Sequence, residues 1–178
     1  MLKNKIMFAK THENAVIPTK RAEDGAFDIY GIFDTPTCVV LPHQTVMIPT
    51  GLISAFSPNY VAILKERGST GTRGMGQRSG VIDSGYRGEW IIPITNHNDY
   101  PMIFSADATE VQLKLGDANF VLDGIVKYDN VLIYPQSKAI TQCVMVEVPA
   151  LTIEEVTPEE VSAISSERGT GAWGSTGK

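Results

Sequence analysis

The sequence is short of the residues that build redox and metal centres. Among 178 residues there are only two cysteines, Cys38 and Cys143, and three histidines, His12, His43 and His97. Neither type recurs at metal-ligand spacing, which excludes a zinc centre of the usual kind. Each cysteine lies in an apolar, β-type run and is expected as a buried free thiol. Long apolar runs are also missing. None approaches the roughly 18 residues of a membrane helix. The apolar part of Met1–Phe8 is too short for a signal peptide. The chain therefore reads as soluble and cytoplasmic, with no membrane partner. A surplus of positive charge is absent too: the net charge is −5, which argues against bulk nucleic-acid binding.

What is present is enough apolar material for one core, with 43% hydrophobic residues. Val39–Leu41, Val46–Ile48, Tyr60–Leu64, Trp90–Ile94 and Cys143–Val148 are short, apolar and rich in β-branched residues. Turn residues bound them, as in Pro49-Thr50-Gly51 and Ser57-Pro58-Asn59. Many short strands at regular spacing predict an all-β sandwich or jelly-roll barrel. The helix expected is Thr157–Ser166, with Thr157 as N-cap, Pro158 at the first helical position and Glu159 and Glu160 in the first turn. Lys65–Gln77 breaks the strand rhythm and is expected as a loop. Arg67, Arg73, Arg78 and Arg87 crowd into one glycine-rich window of this acidic chain. That pattern suits a small phosphate ligand better than a long polyanion.

Two stretches carry chemistry. Gly80-Val81-Ile82-Asp83-Ser84-Gly85-Tyr86-Arg87-Gly88 places an aspartate, a tyrosine and an arginine around turn residues. Arg168-Gly169-Thr170-Gly171-Ala172-Trp173-Gly174-Ser175-Thr176-Gly177 is too rich in glycine to form a core. It offers a cation, a flat ring and hydroxyls, a set suited to closing over an anionic ligand that carries a ring.

With these residues in hand, the chain resembles the trimeric dUTPase family. Gly25-Ala26-Phe27-Asp28-Ile29-Tyr30 is similar to the first of five family motifs, and Glu66-Arg67-Gly68-Ser69-Thr70-Gly71 to the second. Gly80–Gly88 matches the third in full. Ser137-Lys138-Ala139-Ile140-Thr141-Gln142 resembles the fourth, with Ala139 where the family has arginine. Arg168–Gly177 matches the fifth, with Trp173 in place of phenylalanine. Gly68 separates Arg67 from Ser69, which are adjacent in the usual pattern. The deoxycytidine triphosphate deaminases share the fold, but they have a different hairpin and lack this tail.

The resemblance implies a distorted jelly-roll β-barrel over residues 1–166, with an insertion around 107–135, and a flexible C-terminal arm over 167–178 that closes the site. It implies hydrolysis of dUTP to dUMP and pyrophosphate with Mg2+, by a homotrimer whose sites lie at subunit interfaces. Asp83 would orient or deprotonate the water, and Tyr86 would pack on the deoxyribose and exclude a 2′-hydroxyl. Uracil would be read by the hairpin backbone around Gly80 and Ile82. Arg67, Gly68, Ser69, Gln142 and Arg168 would serve the phosphates, together with Ser175 and Thr176 of the arm, while Trp173, next to Gly174, would stack on the base. Asp28 would support Mg2+ indirectly, the ion being held mainly by substrate phosphates. In the insertion, Val111–Leu115, Asn119–Leu122 and Asn130–Tyr134 read as added strands. Some phage members of the family carry an insertion here, which suggests a surface for a regulatory protein partner.

Overall fold

The computed structural model describes residues 5–107, 120–122, 125–128 and 130–170. Its strands are β1 (Ile6–Lys10), β2 (Phe27–Ile29), β3 (Thr37–Val40), β4 (Thr45–Pro49), β5 (Leu52–Phe56), β6 (Tyr60–Lys65) and β7 (Met75–Gln77). Then come β8 (Val81–Ile82), β9 (Ile91–Asn96), β10 (Met102–Ser105), β11 (Phe120–Leu122), β12 (Ile125–Tyr128), β13 (Val131–Pro135) and β14 (Thr141–Glu147). The all-β expectation holds. Among the described residues the expected strands appear with small shifts, while β1, β2, β5, β7, β8, β10 and β12 add to them. Val111–Leu115 and the Trp173-containing part of the arm lie outside the described residues.

The strands form four sheets, ordered β1-β5, β11-β12-β13-β10-β3, β2-β14-β6-β8 and β4-β9-β7. Pairing is antiparallel except between β10 and β13. Alternation does most of the work. In β5, Leu52, Ser54 and Phe56 point inward, and the residues between them are half-buried. Trp90 is fully buried at the centre. Its indole N–H donates to Ser54 Oγ at 3.1 Å, and Phe8 meets it edge-on with ring centroids 5.2 Å apart. The buried indole is thus both packed and hydrogen-bonded. Cys143 is buried in β14 and Cys38 half-buried in β3, both as free thiols.

One expectation is corrected. Lys65–Gln77 is not a plain loop. After β6, the one-turn helix α1 (Gly68–Gly71) forms, with Arg67 as N-cap and Thr70 buried. Thr70 Oγ1 accepts from the Arg67 N–H at 2.9 Å and substitutes for a missing backbone partner. The chain then enters β7, which pairs with β9 through Met75↔Asn96 and Gln77↔Ile94. Buried Met75 and the neighbouring strand decide this conformation against the local glycine content.

The chain divides into two compact units, Met1–Val148 and Pro149–Lys178. In the second, helix α2 (Pro158–Ser162) forms with the expected N-cap. Glu160 N–H donates to Thr157 Oγ1 at 3.2 Å, while Thr157 N–H donates to Glu160 Oε2 at 2.7 Å. This reciprocal capping box holds the Glu160 carboxyl below its usual range. Among the described residues no helix is long and apolar enough to cross a membrane.

Candidate active site

The Gly80–Gly88 stretch pairs with β6 as the edge strand β8 and then turns. Gly80 has φ +67°, a conformation that favours glycine, and its carbonyl accepts from Leu64 N–H at 2.9 Å. This register makes Ile82 the next residue bonded to β6. Val81 main-chain groups face outward, away from β6. The Ile82 side chain is buried, so it anchors the hairpin. Asp83 follows β8 and is solvent-exposed. Its carbonyl accepts from Tyr86 N–H at 3.1 Å, closing a tight turn. Arg87 bends back onto that turn and donates to the Ser84 carbonyl at 2.7 Å and the Tyr86 carbonyl at 2.9 Å. It therefore braces the hairpin.

Tyr86 lies across Gly88, and its hydroxyl donates to the Glu89 carbonyl at 3.1 Å. A Cβ on Gly88 would overlap the tyrosine hydroxyl and ring. With glycine here, the ring keeps this close approach; a larger residue would push it aside. Asp83, Tyr86, the outward edge of Val81, Arg78 and Ser79 line a pocket of about 320 Å³. Its floor rests on Glu89 and Trp90. Glu89 Oε1 accepts from Gly51 N–H at 2.7 Å, and the Trp90 carbonyl accepts from Thr50 Oγ1 at 2.8 Å.

A second pocket, of about 440 Å³ and strongly polar, gathers Asp28, Arg67, Gly68, Ser69 and Gln142. Three distant stretches converge because β2 and β14 pair through Asp28↔Gln142, and β14 and β6 through Gln142↔Lys65. Arg67 holds Asp28 with two bonds, Nε to Oδ1 at 2.8 Å and Nη2 to Oδ2 at 3.1 Å. This is the fork geometry that only arginine provides. Its Nη1 also reaches Ser69 Oγ at 3.3 Å and the Ala139 carbonyl at 3.2 Å. Burial is the largest single influence and opposes the Arg67 charge, but Asp28 and the Tyr134 hydroxyl together outweigh it, so the guanidinium titrates above its ordinary range. Gln142 Nε2 is tied to the Glu66 carbonyl at 2.7 Å, which leaves its Oε1 to the pocket.

These two pockets are not one site within a chain. Asp28 and Asp83 sit on opposite edges of the β2-β14-β6-β8 sheet. Three strand spacings across and about four residues along separate their backbones by roughly 20 Å. A triphosphate spans only two P–O–P links beyond its α-phosphorus, so it does not bridge them. The arginine window divides likewise. Arg67 belongs to the polar pocket, Arg73 donates to the Ser69 carbonyl at 2.7 Å, Arg78 lines the hairpin pocket and Arg87 braces its turn.

Among the other expected residues, Gly80 shapes the hairpin from outside van der Waals crowding. Arg168 lies in the second unit, where its N–H donates to Ser166 Oγ at 3.3 Å. Trp173, Gly174, Ser175 and Thr176 lie outside the described residues. Sequence reasoning missed Thr19, Arg21 and Asp24, which line the polar pocket. The signal for them was the Lys20-Arg21-x-x-Asp24 turn just before Asp28, where Arg21 Nε donates to Asp24 Oδ2 at 3.1 Å. It also missed Ser79 on the hairpin side.

The dUTPase family pattern matches residues 12–109. A deoxyuridine 5′-triphosphate nucleotidohydrolase of Picosynechococcus sp. is 30% identical over 172 residues, covering 94% of this chain and 95% of that protein. The dUTPase of Staphylococcus bacteriophage 80alpha, solved with dUpNHpp, superposes with a TM-score of 0.71 at 21% identity over 98% of this chain and 99% of that one. A mutant dUTPase from phage phi11 of S. aureus, whose structure concerns coordination of a structural Mg(II) ion, gives a TM-score of 0.62 at 21% identity over 88% of this chain and 99% of its own. At such identity these two structures speak for the fold. With a family match over more than half of its length, a relative aligned along nearly all of it and motifs held where the pockets form, the chain belongs to the dUTPase family and hydrolyses dUTP to dUMP.

Proposed function

We propose that Asp83 holds and deprotonates the water that attacks the α-phosphorus of dUTP, releasing pyrophosphate. The observation that carries this reading is the hairpin pocket. It places an exposed carboxylate on a braced turn, beside an outward strand edge and a tyrosine held flat on a glycine. A carboxylate at such a turn needs little reorganisation to align a water. The edge at Val81 offers N–H and C=O groups that match a uracil rim, and the Tyr86 ring occupies the space a 2′-hydroxyl would need.

The polar pocket is the proposed phosphate side. Ser69 and Gly68 offer donors there, Gln142 lies beside them, and Arg67 neutralises Asp28 so that its carboxylate does not repel the phosphates. The residues fit Mg2+ carried by substrate. Among the described residues no cluster of three or more His, Cys, Asp or Glu exists to cage an ion. The Asp28 oxygens keep lone pairs beyond their two arginine bonds, enough for contacts with the water shell of Mg2+. When bound, Mg2+ supplies charge neutralisation across the triphosphate.

Because the two pockets lie far apart in one chain, each site is proposed to join the hairpin of one copy to the polar pocket of another in a homotrimer. Exposed Val39, Leu41 and Met47 on the barrel, and Leu151 and Ile153 on the second unit, supply apolar surface for such association. Arg168 and the arm residues Trp173, Gly174, Ser175 and Thr176 are proposed to cover the bound nucleotide, Trp173 stacking on the base for roughly 1–3 kcal/mol. The insertion builds β11 and β12 onto β13, and this outer edge is the surface proposed for a regulatory protein partner.

Pyrophosphate release from dUTP, compared with dCTP, UTP and dTTP with and without Mg2+, tests the reading. Asp83→Asn is expected to bind dUTP nearly as before with less than about a tenth of kcat, at least 1.4 kcal/mol of barrier. Retention of more would remove Asp83 from the role of base.

A further inference from the structure

The fourth motif of this chain has Ala139 where an arginine is usual, and Ala139 is buried. No cation comes from that slot. What the slot supplies is its carbonyl oxygen. That oxygen accepts from Arg67 Nη1 at 3.2 Å and from the Tyr134 hydroxyl at 2.7 Å. Tyr134 is fully buried in β13, with Phe104 edge-on to its ring at 5.7 Å between centroids. A wholly buried phenol needs a partner, and here the partner is shared with the one guanidinium that holds Asp28. The hydroxyl also interacts electrostatically with Arg67 and Ser69 of the polar pocket, and with Arg73 beside it. The neighbouring Ile140 N–H donates to the Ile29 carbonyl at 2.9 Å, so the same turn is fastened to the strand that carries Asp28.

We propose that Tyr134 is a positioning residue of the phosphate pocket, fixing Arg67 through the Ala139 carbonyl. Its hydroxyl fills the carbonyl's second lone pair and locks the 136–140 turn. The turn then holds Nη1 in place, while Nε and Nη2 stay on Asp28. The task of the absent arginine side chain is thereby shared between a tyrosine on β13 and the second-motif arginine. Tyr134 touches no substrate in this scheme. The inference rests on the reading of the polar pocket as the phosphate side.

The test is Tyr134→Phe, which deletes the hydroxyl and keeps the ring packing. Binding of dUpNHpp with Mg2+ and of dUMP is measured for both proteins. The variant is expected to lose about tenfold in affinity for the triphosphate analogue, equivalent to roughly 1.4 kcal/mol for one buried hydrogen bond. Affinity for dUMP, which lacks the outer phosphates, should stay within about twofold of the parent protein, well under 1 kcal/mol. In an Arg67→Lys background, adding Tyr134→Phe should cost little more, because the two act as one unit. An unchanged analogue affinity overturns the proposal. An equal loss for both ligands overturns it too, since that is a general packing effect. An Arg67→Lys parent that binds the analogue as tightly as the unaltered protein would instead refute the phosphate reading itself. Should Tyr134→Phe not fold, site-specific 3-fluorotyrosine at position 134 gives the readout. Its 19F resonance must move with dUpNHpp and not with dUMP, and a resonance indifferent to both overturns the proposal.

Discussion

Gly88→Ala is a sharp test of how the hairpin works. Gly88 is not among the glycines with positive φ, so its backbone suits alanine. The substitution should stabilise the chain by roughly 0.4–1 kcal/mol through the unfolded state. Against this, the new Cβ overlaps the Tyr86 hydroxyl and ring, which must move. Tyr86 is 46% exposed, so its ring can swing outward, at the loss of its bond to the Glu89 carbonyl. That bond is worth about 0.5–1.5 kcal/mol. The two terms nearly cancel, and the melting temperature should move by only a few degrees. Discrimination should behave differently. If the ring fills the space of a 2′-hydroxyl, displacing it lowers the ratio of kcat/KM for dUTP over UTP by at least about tenfold, or 1.4 kcal/mol. Differential scanning fluorimetry and pyrophosphate release with both nucleotides decide the matter. An unchanged ratio, with normal stability, would refute the assignment of Tyr86 as the sugar gate.

Three further outcomes are expected. Deleting Arg168–Lys178 should remove most hydrolysis with little change in melting temperature, and tryptophan emission should shift with dUpNHpp and Mg2+ in the intact protein but not in Trp173→Phe; a shift that survives Trp173→Phe would contradict the covering role of the arm. Burial pushes the Cys143 thiol up to about 12; the stability tied to its neutral form is therefore complete below the ordinary thiol range and is lost as pH rises from there toward 12, so the melting temperature should fall more steeply above pH 9 in the parent than in Cys143→Ala, and parallel slopes would contradict this.

The fold was legible where strands are apolar and bounded by turns, as in Tyr60–Leu64 and Trp90–Ile94. It was less legible at Met75–Gln77, because a three-residue strand with one large apolar side chain is made by its neighbour β9 and by burial of Met75. The hairpin could be read because its chemistry and its shape lie in one continuous stretch. The pairing of Asp28 with Arg67 depends on registers of β2, β14 and β6 that no local pattern encodes. The same holds for the distance between Asp28 and Asp83. Motifs in order along a chain do not reveal that they lie on opposite sheet edges. Tyr134 was illegible for a different reason: inside Val131–Pro135 it reads as core, and only its hydroxyl partner gives it away.

The central claim is that one chain carries two halves of different sites. Asp83→Asn spoils the hairpin half, and Arg67→Ala spoils the polar half. Each variant alone should be nearly inactive. When the two are unfolded together in equal amounts and refolded into mixed trimers, a site joining the intact hairpin of one chain to the intact polar pocket of another should form at about a quarter of interfaces. Recovery of about a quarter of parental pyrophosphate release is the predicted result. Mixed trimers, verified by mass spectrometry, that stay as inactive as either parent variant would contradict the claim.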